Sequence, residues 1–401
     1  MPATGSIGRK MMLRTDMRTI VKDLGRANLA VLAGCAVMAG CGGTQPQTTG
    51  FGGGTPGFDP MAGNGSLGTG PAKGNIAKKQ PDLGLDATLN GFKIFDDASI
   101  WNKNVEKTAV DPNSDKIIAK IGADKPLTPT FGAYGPNKVP FGIPYVVVSA
   151  DAPKISVTFT DSKASDPGPY PFPLQMPIEA GDHAHAIVID RDSQKLYESL
   201  GTKVDGATYD AISGTVWDLR TYTPRKSFQE AGDPSGLPVF PGLVRFDEVS
   251  DIKGINHPLR VTLATVSKNF VLPATRSSGT KTDADLPPMG TQLRLKKSFK
   301  ISKFSPSNQV ILTALKKYGM IVSDTGTDMG LSGTPDPHWM DSDLAGLKSV
   351  TAGDFEVLKP PAPPKLTKKE QAAADAAAAA AATATPTVTT NPAPAPTPSK
   401  S

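Results

Sequence analysis

The chain has 401 residues, with Gly 40, Pro 38 and a hydrophobic share of 38%. Much of the Gly and Pro excess sits at the two ends, so a length that ordinarily predicts two or three domains reduces to one folded region. The formal charge of +5 is also an end effect: residues 1–40 carry about +4 and the tail from Lys359 about +3, which leaves the middle near −2 and excludes a basic face for nucleic acid.

The N-terminus reads as an export signal. A basic segment ends at Arg26, and the uncharged run Ala27–Gly40 follows. That run is shorter than the ~20 apolar residues needed to cross a bilayer and suits the apolar part of a signal peptide. Two sites, Leu32-Ala33-Gly34-Cys35 and Met38-Ala39-Gly40-Cys41, resemble the lipobox of bacterial lipoproteins, where cleavage precedes a diacylated cysteine. Cys41 leaves the fuller apolar run and a Gly-Gly-Thr start, with Cys35 as the alternative. Residues 1–40 are thus expected as a lipoprotein signal peptide. The processed protein is expected in the cell envelope, lipid-anchored to a membrane and facing the periplasm or exterior. If Cys41 is modified, Cys35 leaves with the signal and no disulfide remains.

Residues 41–88, rich in Gly, Thr, Pro and Asn, predict a flexible tether, because such composition buries too little apolar surface to offset chain ordering. Residues 89–358 predict a β-rich globular domain. Short β-branched runs bounded by Pro, Gly and Asp mark strands at 143–149, 154–160, 184–190, 195–199, 214–219, 259–265 and 292–301. Ile155, Val157 and Phe159 alternate with polar residues, as in a half-buried strand. One helix is well signed: Ser305 caps, Pro306 takes the first helical position and Gly319 ends it. A second short helix is predicted at 341–347. Many short strands with one or two short helices predict a mainly β fold, an antiparallel β-sandwich or jelly roll flanked by disordered ends. Residues 359–401 form an Ala/Pro/Thr-rich low-complexity tail, in which Thr367–Glu370 is a capping box before an alanine run.

The histidines are the first chemical candidates. His183 and His185 fall on one face of a predicted strand, a familiar way to hold a metal. A cupin-like site would want a carboxylate near Asp190 and then a glycine, but Tyr197 takes the glycine's place. His257 stands at the mouth of the 259–265 strand. Glu198, Asp218 and Glu248 are candidate acids, since glycoside hydrolysis needs two carboxylates across a cleft and elimination needs a base beside a charge-stabilising group. Arg245 and Arg260 would neutralise an acidic sugar or pair with these acids. Tyr197 and Trp217, like Trp101, would offer sugar-stacking faces, although core packing is the commoner use of Trp. Gly236–Gly242 reads as a rigid Pro/Gly loop and a candidate cleft wall. No G-x-S-x-G, H-E-x-x-H or phosphate-binding loop appears.

FDDASIWNKNV, GDHAHAIVIDRDSQKLYE, SGLPVFPGLVRFDEV, GINHPLRVTL and LPPMGTQLRLKKSF together resemble a widespread group of secreted bacterial proteins and lipoproteins, over nearly all of residues 92–358. The resemblance implies a domain boundary and no activity. Its pattern is matched at His185, Glu198, Glu248 and His257, whereas His183 stands where such proteins more often have Asp or a small residue. The leading expectation is a carbohydrate-active enzyme, a glycoside hydrolase or polysaccharide lyase, acting on envelope or environmental polysaccharide. His185 and His257 are its acid/base candidates and Glu198 or Glu248 the partner. A non-catalytic glycan- or cell-wall-binding lipoprotein is the alternative, and a metal-binding β-sandwich using His183 and His185 is a third.

Overall fold

A computed structural model describes residues 79–135, 139–227, 229 and 231–362. The expected signal peptide, Cys35, Cys41, the tether up to residue 78 and the tail from residue 363 lie outside the described residues. The folded domain begins earlier than residue 89. Gly84–Leu85 forms β1 and pairs antiparallel with Val146–Val148 (β3), while the Lys359 amide donates to Ala109 O and ties down the other end.

Three sheets carry the fold. The first runs β1–β3–Ala186–Asp190 (β5)–Lys195–Leu200 (β6)–Ser213–Asp218 (β9). The second has six strands, in the order Phe355–Val357 (β14), Gln292–Leu295 (β11), Met320–Thr325 (β12), Leu259–Leu263 (β10), Gly330–Leu331 (β13) and Thr128–Pro129 (β2). The third joins Val157–Phe159 (β4), Thr208–Ala211 (β8) and Lys203–Asp205 (β7). The β-rich class is as expected, but the purely antiparallel arrangement is not: each sheet is mixed, with parallel pairs β3–β5, β10–β12, β13–β2 and β4–β8.

A helix covers the apolar face of the second sheet. Pro306–Lys317 (α3) lies between β10 and β12, and Ile311, Leu312 and Leu315 pack with Leu259, Val261, Leu263, Met320 and Val322 in the largest core. β10 and β12 are parallel across a longer connection that contains both β11 and α3, whereas β11 and β12, which α3 joins directly, are antiparallel. Ser305 accepts from the Asn308 amide and Gly319 has φ +71°, so both predicted ends of α3 stand. Ser114–Ile121 (α1), not anticipated, adds Ile117, Ile118 and Ile121 to the same core. The second predicted helix is a single turn, Asp341–Leu344 (α4), continued by a 3₁₀ stretch to Ser349.

The first sheet is covered on both faces. Ile187, Ile189, Leu196 and Trp217 pack against Trp101 and Leu237–Leu243, while Val146, Val188 and Tyr197 pack against Val157, Tyr209 and Ala211 of the third sheet. The 237–243 segment lies close on β10. A Cβ at Gly242 would stand 2.9 Å from Arg260 Cβ and 3.1 Å from its backbone nitrogen, so this approach needs a residue without a side chain. Among the described residues no helix is long and apolar enough to cross a membrane.

Candidate functional site

Arg260 sits on β10 with its side chain opposite the apolar Leu259, Val261 and Leu263. Its three nitrogens are all engaged: Nε with Asp233 Oδ2 at 2.7 Å, Nη1 with Ser332 Oγ at 2.8 Å and Nη2 with Asp324 Oδ2 at 2.8 Å. Asp324 reaches that side through a β-bulge. Val261 pairs with Val322, but Thr262 pairs with Asp324, so Ser323 is the extra residue on β12. One additional residue reverses the alternation of side chains, and Asp324 leaves the apolar face on which Met320 and Val322 lie.

His185, fully buried at the start of β5, belongs to the same network. Nδ1 is 2.5 Å from Glu179 Oε2 and Nε2 is 3.0 Å from Gly232 O. Both partners are acceptors, so the ring donates from both nitrogens and is held as an imidazolium against ionised Glu179. Burial opposes that charge, yet the Glu179 carboxylate outweighs it and holds the His185 pKa above its ordinary value. For Glu179, likewise, burial is outweighed by His185 and its pKa lies below the ordinary range. No ring nitrogen of His185 is left to accept a substrate proton. His183 is half-exposed, with Nδ1 3.3 Å from Asp324 Oδ2. The two histidines therefore do not point to one ion, and among the described residues no three His, Cys, Asp or Glu side chains have metal-holding geometry.

Glu198, on β6, is also fully buried. Its Oε1 accepts from the amides of Val239 and Phe240 at 2.9 and 2.8 Å, and Oε2 from Trp217 Nε1 at 3.1 Å. It thus pins the 237–242 segment to the first sheet. Trp217 and Tyr197 are both core residues, so neither offers the open stacking face expected of it. Asp218 is the more exposed carboxylate and pairs with Arg220.

The remaining candidates meet elsewhere, around a cavity of about 390 Å³. Arg245 precedes the short helix Phe246–Ser250 (α2), whose first turn carries Asp247 and Glu248. Arg245 Nη2 is 2.6 Å from Glu248 Oε1, and His257 Nε2 is 3.1 Å from the same oxygen. His257 Nδ1 faces Pro258 O at 2.9 Å. Burial alone would raise the Glu248 pKa, but Arg245 and His257 outweigh it and hold it below the ordinary range. Asp247 Oδ2 accepts from the Leu89 amide and Thr88 Oγ1, which brings residues 88–102 alongside α2. The cavity forms between these two segments: Phe92, Ile94 and Trp101 on one side, Pro241, Ile252 and His257 on the other, and Tyr318 from the end of α3. Lys93, Asn102 and Asn256 add polar groups. Of the Pro/Gly segment Gly236–Gly242, Pro241 lines the cavity.

Of the four expected catalytic residues, Glu248 and His257 line this cavity, while His185 and Glu198 do not and are fixed in the buried interior. Arg245 belongs to the cavity and Arg260 to the interior network. Glu179, Asp233, Asp247 and Asp324 were not singled out from sequence. Only Asp324 gave a signal, as a charge two residues beyond the apolar run Met320–Val322. Comparison of the chain with protein-family models, with curated proteins and with solved structures finds no match.

Proposed function

We propose that this is an exported lipoprotein whose β-rich domain binds a saccharide, without turning it over, in the cavity between residues 88–102 and 241–257. The observation that carries the reading is the lining. Aromatic and aliphatic walls stand beside amides, a lysine and a tyrosine, the mixture that holds a sugar ring by face and by hydroxyl. Among the described residues Glu248 is the sole carboxylate of that lining, and it is spent on Arg245 and His257. Glycoside hydrolysis by the usual route asks for two carboxylates, and both nitrogens of His257 already face oxygens. The third sheet over one face of the first is read as the sandwich element of the fold.

The test is calorimetric titration of the full chain with a panel of neutral and acidic oligosaccharides, including wall fragments, with reducing ends followed in parallel. Binding of at least one is expected, with Tyr318→Ala and Asn256→Ala each weakening it about tenfold, roughly 1.4 kcal/mol. Silence across the panel, or binding indifferent to both substitutions, would refute the reading. Release of reducing ends that stops in Glu248→Gln would replace the binder with an enzyme.

A further inference from the structure

Arg245 is 4% exposed and forms part of the inner wall of the cavity. A guanidinium that deeply placed normally has every N–H engaged, because a buried donor without an acceptor loses its hydration for nothing. Arg245 does not. Nη2 is taken by Glu248, and the Cζ lies 5.1 Å from the centre of the Phe240 ring, which fixes the plane of the group. Nη1 has no acceptor, and Nε is 3.6 Å from Asp247 Oδ1, too far for a hydrogen bond. Asp247 Oδ1 is itself without a donor.

The charge around the cavity points the same way. Lys93, whose ammonium also pairs with Asp97 at its outer side, and Arg245 line it against the single carboxylate of Glu248, whose charge is already shared between Arg245 and His257. With Nη2 on Glu248, what Arg245 has left is a single charged donor at Nη1, which a negatively charged oxygen suits better than a hydroxyl.

We propose that the saccharide taken by this cavity is acidic, and that its carboxylate supplies the acceptor Arg245 lacks, with Lys93 contributing charge. This rests on the saccharide-binding reading. It narrows the ligand from sugars in general to uronic-type or other carboxylate-bearing sugars.

The probe is a galacturonic acid trisaccharide, titrated into the full chain beside its fully methyl-esterified form, which keeps the ring and linkage and removes the charge. The acid is expected to bind at least tenfold more tightly at low salt, and the preference to shrink as salt rises. Arg245→Gln, checked for an unchanged melting profile, is expected to abolish the preference. Should that variant fail to fold, Lys93→Gln, at an exposed position, serves instead and is expected to reduce the preference about threefold. Equal affinity for acid and ester overturns the inference and leaves the saccharide reading in place, as does a preference unmoved by the substitutions. If neither trisaccharide binds while a neutral sugar of the wider panel does, the inference again falls alone. If no saccharide binds, both fall together.

Discussion

Arg260→Met is expected to destabilise the domain by about 3–5 kcal/mol, because it strands two buried carboxylates without their shared cation. Asp233 and Asp324 have side chains 0% and 1% exposed, and Arg260 is the ion-pair partner of the first and the principal one of the second. Burial already raises the Asp233 pKa even with the arginine present, so its ionised form has little other support. For a domain of this size the loss corresponds to a fall in melting temperature on the order of 10 °C. Urea unfolding at neutral pH measures it. Adding Asp233→Asn and Asp324→Asn to the same variant is expected to recover most of the loss, since a neutral pair in that place leaves no stranded charge. A single variant within about 1 kcal/mol of wild type would show that the network contributes little.

Glu198 sets the second large effect, and here pH is the variable. Burial pushes its carboxyl from the ordinary 4.5 up to about 7, against the pull of the Phe240 and Val239 amides. A folded-state pKa above the unfolded one means that the folded chain binds the extra proton between those values. Stability from this group is therefore complete below about pH 4.5 and is lost as pH rises through about 7, a change of roughly 3 kcal/mol. Asp86, raised by burial to about 7, and His185, raised by Glu179 against its burial, act in the same sense. Glu198→Gln is expected to flatten the decline between pH 5 and 8 without abolishing it, as read from unfolding midpoints. A variant whose pH profile superimposes on wild type would remove Glu198 from the account.

What the sequence disclosed follows from how local each feature is. The ends of α3 were legible because Ser305, Pro306 and Gly319 act on their own neighbours. The strand at 154–160 was legible because alternation is a property of consecutive residues, and Val157 is indeed buried between exposed Ser156 and Thr158. β12 was missed as a strand because it follows the helix without a break, at Gly319-Met320. With it went its parallel pairing with β10. The candidate residues were chosen by type, and type did not reveal their company. His185 and His257 look alike in sequence, yet one is sealed between Glu179 and Gly232 and the other borders a cavity. That cavity is assembled from residues 89–102, 241–257 and Tyr318, segments that nothing in the local pattern brings together. The segment FDEV gave no helix signal, because a single turn held by Asp247 to Leu89 and Thr88 depends on contacts more than 150 positions away.

The bulge at Ser323 makes the count of residues in β12, more than their identity, decide where a charge resides. Ser323 hydrogen-bonds only to the carbonyl of Ile321, so its side chain is dispensable in a way that its presence in the chain is not. Exchange of Ser323 for another small residue keeps the frame. Deleting it shifts the reading frame of the strand by one, turns Asp324 toward Leu259, Val261 and the α3 core, and removes the counter-ion of Arg260 in the same step. Insertions and deletions, more than substitutions, are what this part of the molecule has least room to absorb.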